Sequence, residues 1–247
     1  MFTKLTKAEK DWILYDVGNS AFILLVSTIM PLYFNSLAEK DGLSSVSYLA
    51  YWGYAASAAT LCVAFLGPVI GTITDFKGFK KPIFFISVLV GSVLCFMMGF
   101  ISHWLIFLIF FIISKAVYSS SIIFYDSMLG DITTEERLDS VSSLGYAWGY
   151  IGSCIPFVLS LAVILGGKKI GISGSLAMTI AFTITAIWWF VFSLPLLKTY
   201  KQTHYIENTK NAIAESFKRL GNTLKNATKH KKIFLFLISF FFYIDGV

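Results

Sequence analysis

Charge is scarce in this 247-residue chain: Asp, Glu, Lys and Arg together make up 14%, against about 25% in soluble domains. With 56% hydrophobic residues, so little charge excludes a soluble globule. Histidine is nearly absent, and His103, His204 and His230 fall at or outside the edges of the apolar stretches. No span holds a His cluster, a Ser/His/Asp set or a metal-ligand array, and no glycine loop is built to cradle phosphate, so neither an enzyme nor a metal or cofactor is expected. Cys62, Cys95 and Cys154 are odd in number and lie inside apolar stretches, which argues for small buried side chains rather than a disulfide framework. Length is short as well. Twelve spans of about 20 residues would use about 240 residues before any loop existed, which excludes a twelve-helix bundle within this chain.

What the chain has in plenty is apolar runs of spanning length, at 12–37, 47–74, 82–101, 104–130, 141–165 and 175–197. The expected fold is all-α and integral to a membrane. A seventh run opens at Ile233, but 233–247 is shorter than the roughly 17–25 residues a span needs. The expectation is therefore a longer protein, with 1–197 as a six-helix bundle, 198–232 as a basic linker and 233–247 as the start of a second bundle. The first run holds Asp16 and Asn19 and is too long for the apolar core of a signal peptide, so it is retained as a span.

The basic residues orient the bundle. Of the 20 Lys and Arg, Lys40, Lys168 and Lys169 alone face one side, Lys115 lies inside a span, and all the rest face the other. This positive-inside asymmetry makes the N-terminus and the 198–232 segment cytoplasmic. It also accounts for the net charge of +6 without nucleic acid. Within 198–232, Ile206, Ile213, Phe217, Leu220 and Leu224 recur at helical spacing among Lys210, Lys218, Arg219 and Lys225. Two readings fit: an amphipathic helix on the membrane surface, or a solvated basic linker.

Ionisable groups inside spans are costly and mark function. They are Asp16, Lys115, Asp126 and Asp245. Asp16, Asn19 and Ser20 share one face of the first span, and Lys115, Tyr118, Ser119, Tyr125 and Asp126 cluster on the fourth, so both faces should meet each other or a wet cavity. At about 1.5 Å per residue, Asp16 lies about 8 Å and Lys115 about 20 Å from the cytoplasmic surface. Asp245 falls at a depth similar to Lys115, so either the two pair across the bundle, or Lys115 snorkels to the surface or meets backbone carbonyls. Gly145, Gly149 and Gly152 fall on one face of the fifth span and read as a helix-packing seam. Tyr146, Trp148 and Tyr150 alternate with them. Between the second and third spans, Gly71, Asp75, Gly78, Lys80 and Lys81 make a short cytoplasmic turn: Gly71 for close helix approach, Gly78 for the reversal, Asp75 to cap a helix N-terminus or attract a cation, and the lysines as anchors on the inner side.

The string Gly71-x-x-x-Asp75-x-x-Gly78-x-Lys80-Lys81 resembles the signature loop of the major facilitator superfamily, with Phe76 and Phe79 standing where basic residues are usual. Trp12 to Phe22, Phe124 to Leu129, Gly145 to Gly152 and Phe242 to Val247 resemble the branch of the autophagy-associated vacuolar amino-acid effluxers and their bacterial members. That resemblance covers essentially the whole chain. It implies an N-terminal half of two inverted three-helix repeats, the linker and the beginning of helix seven. The first, fourth and seventh helices would line a central cavity with alternating access, and Tyr15-Asp16 and Tyr125-Asp126 would take equivalent repeat positions.

The function expected is a secondary transporter that exports small polar solutes, amino acids or related zwitterions, with Asp16 or Asp126 as the seat of a coupling proton or ion. The alternative is a non-transporting receptor, assembly or lipid-handling protein on the same fold. The bilayer would be a bacterial plasma membrane, and the missing C-terminal six-helix half or a second copy would complete the cavity.

Overall fold

The computed structural model describes residues 4–207 without interruption and, beyond them, 217, 218, 221, 222, 225, 232, 234–236 and 238–240. The helices are α1 (Lys7–Ser27), α2 (Ile29–Lys40), α3 (Ser45–Thr74), α4 (Lys80–Met98), α5 (Trp104–Ile132), α6 (Leu138–Gly166) and α7 (Gly174–Thr199). Helices α1 and α2 run on as one unit, Lys7–Lys40, so the seven make six elements long and apolar enough to cross a membrane.

The first span is broken at Thr28 by its own sequence. Pro31 has no N–H for the Ser27 carbonyl and its ring crowds that oxygen. Just before it, Ser27 Oγ donates back to Ile23 O at 2.8 Å and Thr28 Oγ1 to Leu24 O at 2.5 Å, a pattern that bends helices. Thr28 therefore leaves helical geometry (φ −127°, ψ −69°). At the other end Thr6 and Glu9 close a capping box, Glu9 N–H to Thr6 Oγ1 at 3.2 Å and Thr6 N–H to Glu9 Oε2 at 2.7 Å, which starts α1 at Lys7 rather than Trp12. The helix therefore begins ahead of the apolar run, and Asp16 falls in its third turn.

Helix α1 packs on α6 and α7, α5 packs on α3 and α4, and α4 meets α7. Shifting the six spans by three maps these contacts onto themselves, but α6 also packs on α7 while the corresponding pair, α3 and α4, barely touches. The equivalence expected for the two Tyr-Asp pairs does not hold, however. Asp16 lies in the third turn of α1 and Asp126 in the next-to-last turn of α5. Both face one space because the helices run antiparallel, with Asp126 about a turn nearer the Trp12 end of the bundle, since Asn19 meets Tyr118, Tyr15 meets Ser121 and Trp12 meets Tyr125.

Lipid tails are as apolar as leucine, so spans associate through close packing and inter-helix hydrogen bonds rather than through burial from water. Phe22 meets the fully buried Trp189 ring at 5.2 Å between centroids. Trp188 Nε1 donates to Val17 O at 3.1 Å and Tyr33 Oη to Ile101 O at 2.9 Å, tying α7 and the end of α4 to the first span. Leu61, Phe65, Ile86 and Val93 are exposed on the outer faces of α3 and α4, as a lipid-facing surface requires.

Beyond α7 the chain is extended. Ile206, placed by its spacing on an amphipathic helix, instead forms an isolated parallel bridge with Phe76. Its N–H donates to Asp75 O at 2.8 Å and its carbonyl accepts from Lys77 N–H at 3.0 Å. Further on, 217, 218, 221, 222 and 225 are helical, as are 232, 234–236 and 238–240. Asp245, and with it the proposed partner of Lys115, lies outside the described residues.

Candidate functional site

A cavity of about 570 Å³ opens between α1, α5 and α6. Asp16, Asn19 and Ser20 reach it from α1, and Lys115, Tyr118, Ser119, Tyr125 and Asp126 from α5. Trp12, Ile23, Leu24, Ser27 and Ile122 complete these two walls. Helix α6 adds Ser142, Tyr146, Tyr150 and Ser153. Tyr146 and Tyr150 are strongly exposed, so α6 forms the open rim.

The glycines of α6 bring that helix onto the polar face of α1. A Cβ at Gly145 would stand 2.8 Å from Trp12 Cζ3, one at Gly149 2.8 Å from Ser20 Oγ, and one at Gly152 would overlap Val17. Only a side chain of hydrogen lets the two backbones approach this closely.

Below the cavity the polar groups are wired together. Asn19 is buried, and its Nδ2 donates to Asp16 Oδ1 and to Tyr15 O, both at 3.2 Å, while its Oδ1 accepts from Tyr118 Oη at 3.3 Å. Tyr15 Oη donates to Ser121 Oγ at 2.8 Å. Trp12 stacks on Tyr125 with centroids 4.2 Å apart and an interplanar angle of 13°, and its Nε1 donates to Tyr125 O at 3.1 Å. Asp16 is thereby fixed in rotamer and depth. Lys115 and Asp126 make no ion pair among the described residues, and the buried Tyr125 Oη has no hydrogen-bond partner there. The cavity thus holds a cation, two carboxylates and a spare hydroxyl, which suits a small solute carrying both charges.

The loop between α3 and α4 differs in part from its expected role. Gly78 turns the chain at φ +82°, a conformation in which any side chain is strained. Gly71 has nothing within 4 Å of where its Cβ would be, because it borders an open groove of about 610 Å³ between α3 and α5 rather than a neighbouring helix. Asp75 ends α3 as its C-cap instead of starting a helix. Lys80 is not an exposed anchor. Its side chain is 5% exposed, and Nζ lies 3.3 Å from Ser127 O and 3.7 Å from Asp131 Oδ2. Lys81 is exposed.

Asp131 is the residue that sequence reasoning passed over. At 1% side-chain exposure it gathers three segments. Its Oδ2 accepts from Tyr200 Oη at 2.5 Å, and its Oδ1 accepts from Thr203 N–H, Thr203 Oγ1 and His204 N–H at 3.1, 2.7 and 2.8 Å, with His204 Nδ1 at 2.9 Å. Gln202 then reaches Thr74 O and Phe76 O from Nε2 and accepts Gly78 N–H on Oε1. Outside the spans, burial and the Asp131 carboxylate push the Tyr200 hydroxyl above its ordinary pKa. Lys77 is raised by its hydrogen bond to Glu207. Residues 200–207 therefore form a strap across the signature loop. A second hub is Glu9, 2% exposed, which accepts a bidentate pair from Arg137 at 2.9 and 2.8 Å and Thr133 Oγ1 at 2.7 Å. The sequence Thr6-x-x-Glu9 ahead of an apolar run was a visible sign of the cap. Nothing local signalled Asp131, which the hydropathy boundary at Gly130 placed in a loop.

A sequence model of the family described as "Vacuole effluxer Atg22 like" matches residues 6–138 and 131–247. A Bacillus subtilis (strain 168) protein described as the uncharacterized MFS-type transporter YxiO is 42% identical over 252 residues, which covers all of this chain and 59% of that protein. Autophagy-related protein 22-1 of Penicillium rubens is 27% identical over 124 residues, 46% of this chain and 20% of its own length. Autophagy-related protein 22 of Yarrowia lipolytica is 25% identical over 128 residues, 43% and 21% of the two chains. The chain thus spans 59% of the Bacillus protein and about a fifth of the fungal ones.

Proposed function

Because the chain belongs to the Atg22-like family of major facilitator proteins, we propose that it supplies the solute-binding half of a secondary transporter that exports small zwitterions, amino acids among them, by alternating access. The observation that carries this reading is the cavity, where Lys115 stands without an ion-pair partner among the described residues while Asp16 and Asp126 line the same space. A solute carboxylate would take Lys115 and the free Tyr125 hydroxyl, and its ammonium would take the carboxylates, each contact strengthened by exclusion of water. Asp16 and Asp126 are the groups we assign to a coupling proton or ion. The N-terminus, Lys80 and the 200–207 strap lie on the cytoplasmic side of a bacterial plasma membrane, by the distribution of basic residues. Residues 1–197 act as the bundle, 198–232 as the cytoplasmic linker and 233–247 as the start of the other half; that half, or a second copy, closes the cavity mouth at Tyr146 and Tyr150.

The test is solute binding to the purified chain, read from tryptophan fluorescence with Trp12→Phe as the control, since Trp12 borders the cavity. Amino acids should bind at least about tenfold more tightly than the matching amine or carboxylate alone, and Lys115→Gln and Asp16→Asn should each remove that advantage. Equal affinity for the one-charge analogues would overturn the reading. Solute uptake into proteoliposomes without any change in internal pH would remove the proton assignment while leaving the binding site intact.

A further inference from the structure

A smaller cavity, of about 250 Å³, lies where the start of α1 meets the end of α7, and it shares no residue with the central one. Lys7 and Asp11 line it from α1; Val191, Leu194, Pro195, Lys198 and Thr199 line it from α7. Asp11 is 7% exposed, and its Oδ2 is fully enclosed with no hydrogen-bond partner. Lys7 and Lys198 border the same space, are exposed, and make no ion pair with it. A buried charged acceptor left unmatched beside two unmatched cations is a site missing its ligand rather than a settled structural pair.

The chemistry of the walls narrows the ligand. Pro195 has no N–H to return to the Val191 carbonyl, which leaves that acceptor without its usual intrahelical donor in the wall facing Asp11. The Thr199 hydroxyl already donates to Pro195 O at 3.1 Å. Asp11 and the Val191 carbonyl therefore call for a donor cation with several N–H groups. Lys7, Lys198 and the positive end of the α1 dipole call for an anion beside it. Val191 and Leu194 extend the site along the membrane-spanning part of α7, and Val191 is exposed there, so an acyl chain can continue from the polar pocket. An ammonium and a phosphate on one short arm, joined to a hydrocarbon chain, meet all of these demands.

We propose that this groove binds a phosphoethanolamine headgroup from the surrounding bilayer, with the ammonium on Asp11 and the phosphate between Lys7 and Lys198. Phosphatidylglycerol offers Asp11 neutral hydroxyl donors but no counter-charge, and the methylated nitrogen of phosphatidylcholine cannot donate to it. The site does not depend on what the central cavity carries.

The proposal is tested by native mass spectrometry of the purified chain with equimolar phosphatidylethanolamine, phosphatidylglycerol and phosphatidylcholine of matched acyl chains. Phosphatidylethanolamine should be retained at least about tenfold over the other two. Asp11→Asn should bring phosphatidylethanolamine to within about twofold of phosphatidylglycerol, and Lys7→Gln with Lys198→Gln should weaken both phospholipids. Lack of discrimination by the unaltered chain overturns the proposal, and needs no variant to fold. Preference that survives Asp11→Asn overturns it as well. Displacement of the lipid by free O-phosphoethanolamine at equal affinity would overturn a membrane lipid as the occupant.

Discussion

Replacing Asp131 by Asn should release the strap formed by residues 200–207. The carboxylate uses both oxygens: Oδ1 serves Thr203 and His204, and Oδ2 serves Tyr200 and stands 3.7 Å from the Lys80 ammonium. An amide cannot do both, whichever way it turns. With oxygen toward Thr203 and His204, its NH2 meets the Tyr200 hydroxyl and the Lys80 ammonium; with oxygen toward those two, it meets the donors of the strap. In either case Lys80, whose side chain is 5% exposed, loses its counter-charge. Removing one member of a buried pair costs about 3–5 kcal/mol. At about 1.4 kcal/mol per tenfold, the lower figure is a rise of roughly 100-fold in strap opening. Hydrogen–deuterium exchange of the chain in lipid nanodiscs reads this directly, in peptides covering 200–207 and 75–79. Removing both charges with Lys80→Met and Asp131→Asn should restore much of the protection, since an absent pair costs less than half of one. Exchange in the Asp131→Asn variant within about twofold of the parent, or a double variant no better protected than the single, would refute the reasoning.

Three further outcomes follow from other contacts. Gly152→Ala should destabilise the α1–α6 seam by about 1–3 kcal/mol, because the new methyl meets Val17. Adding Val17→Ala should recover part of that loss, so that unfolding in mixed micelles shows non-additive effects. Arg137→Met should cost about 3–5 kcal/mol by leaving Glu9 buried without its cation, and Arg137→Lys should recover only part, because an ammonium cannot match the two-pronged contact; thermal unfolding of the purified chain checks both. Tyr125→Phe should leave the unfolding midpoint within about 0.5 kcal/mol of the parent, since its hydroxyl has no partner among the described residues, yet it should weaken zwitterion binding measurably.

The bundle itself was legible because membrane spans announce themselves locally: length, hydropathy and the placement of lysines need no knowledge of packing. The polar faces of the first and fourth spans were legible for the same reason, since 3.6-residue periodicity puts Asp16, Asn19 and Ser20 on one side whatever they meet. Periodicity could not say that Lys80 turns inward. Its neighbours in sequence, Lys77 and Lys81, look alike and remain exposed. What separates Lys80 from them is Asp131, 51 positions away, and a strap that starts at Tyr200. Likewise Ile206 fits a helical pattern on paper, but the open backbone groups of Asp75 and Lys77 compete for it and win.

By itself, then, the sequence determined a six-span membrane bundle and the residues that must avoid lipid, because the cost of burying charge in hydrocarbon is paid position by position. Only the tertiary structure decided which of those residues share a cavity, which glycine faces which helix, and which carboxylate gathers the loop and the strap. Those outcomes depend on distances between segments far apart in the chain, and no local pattern encodes a distance.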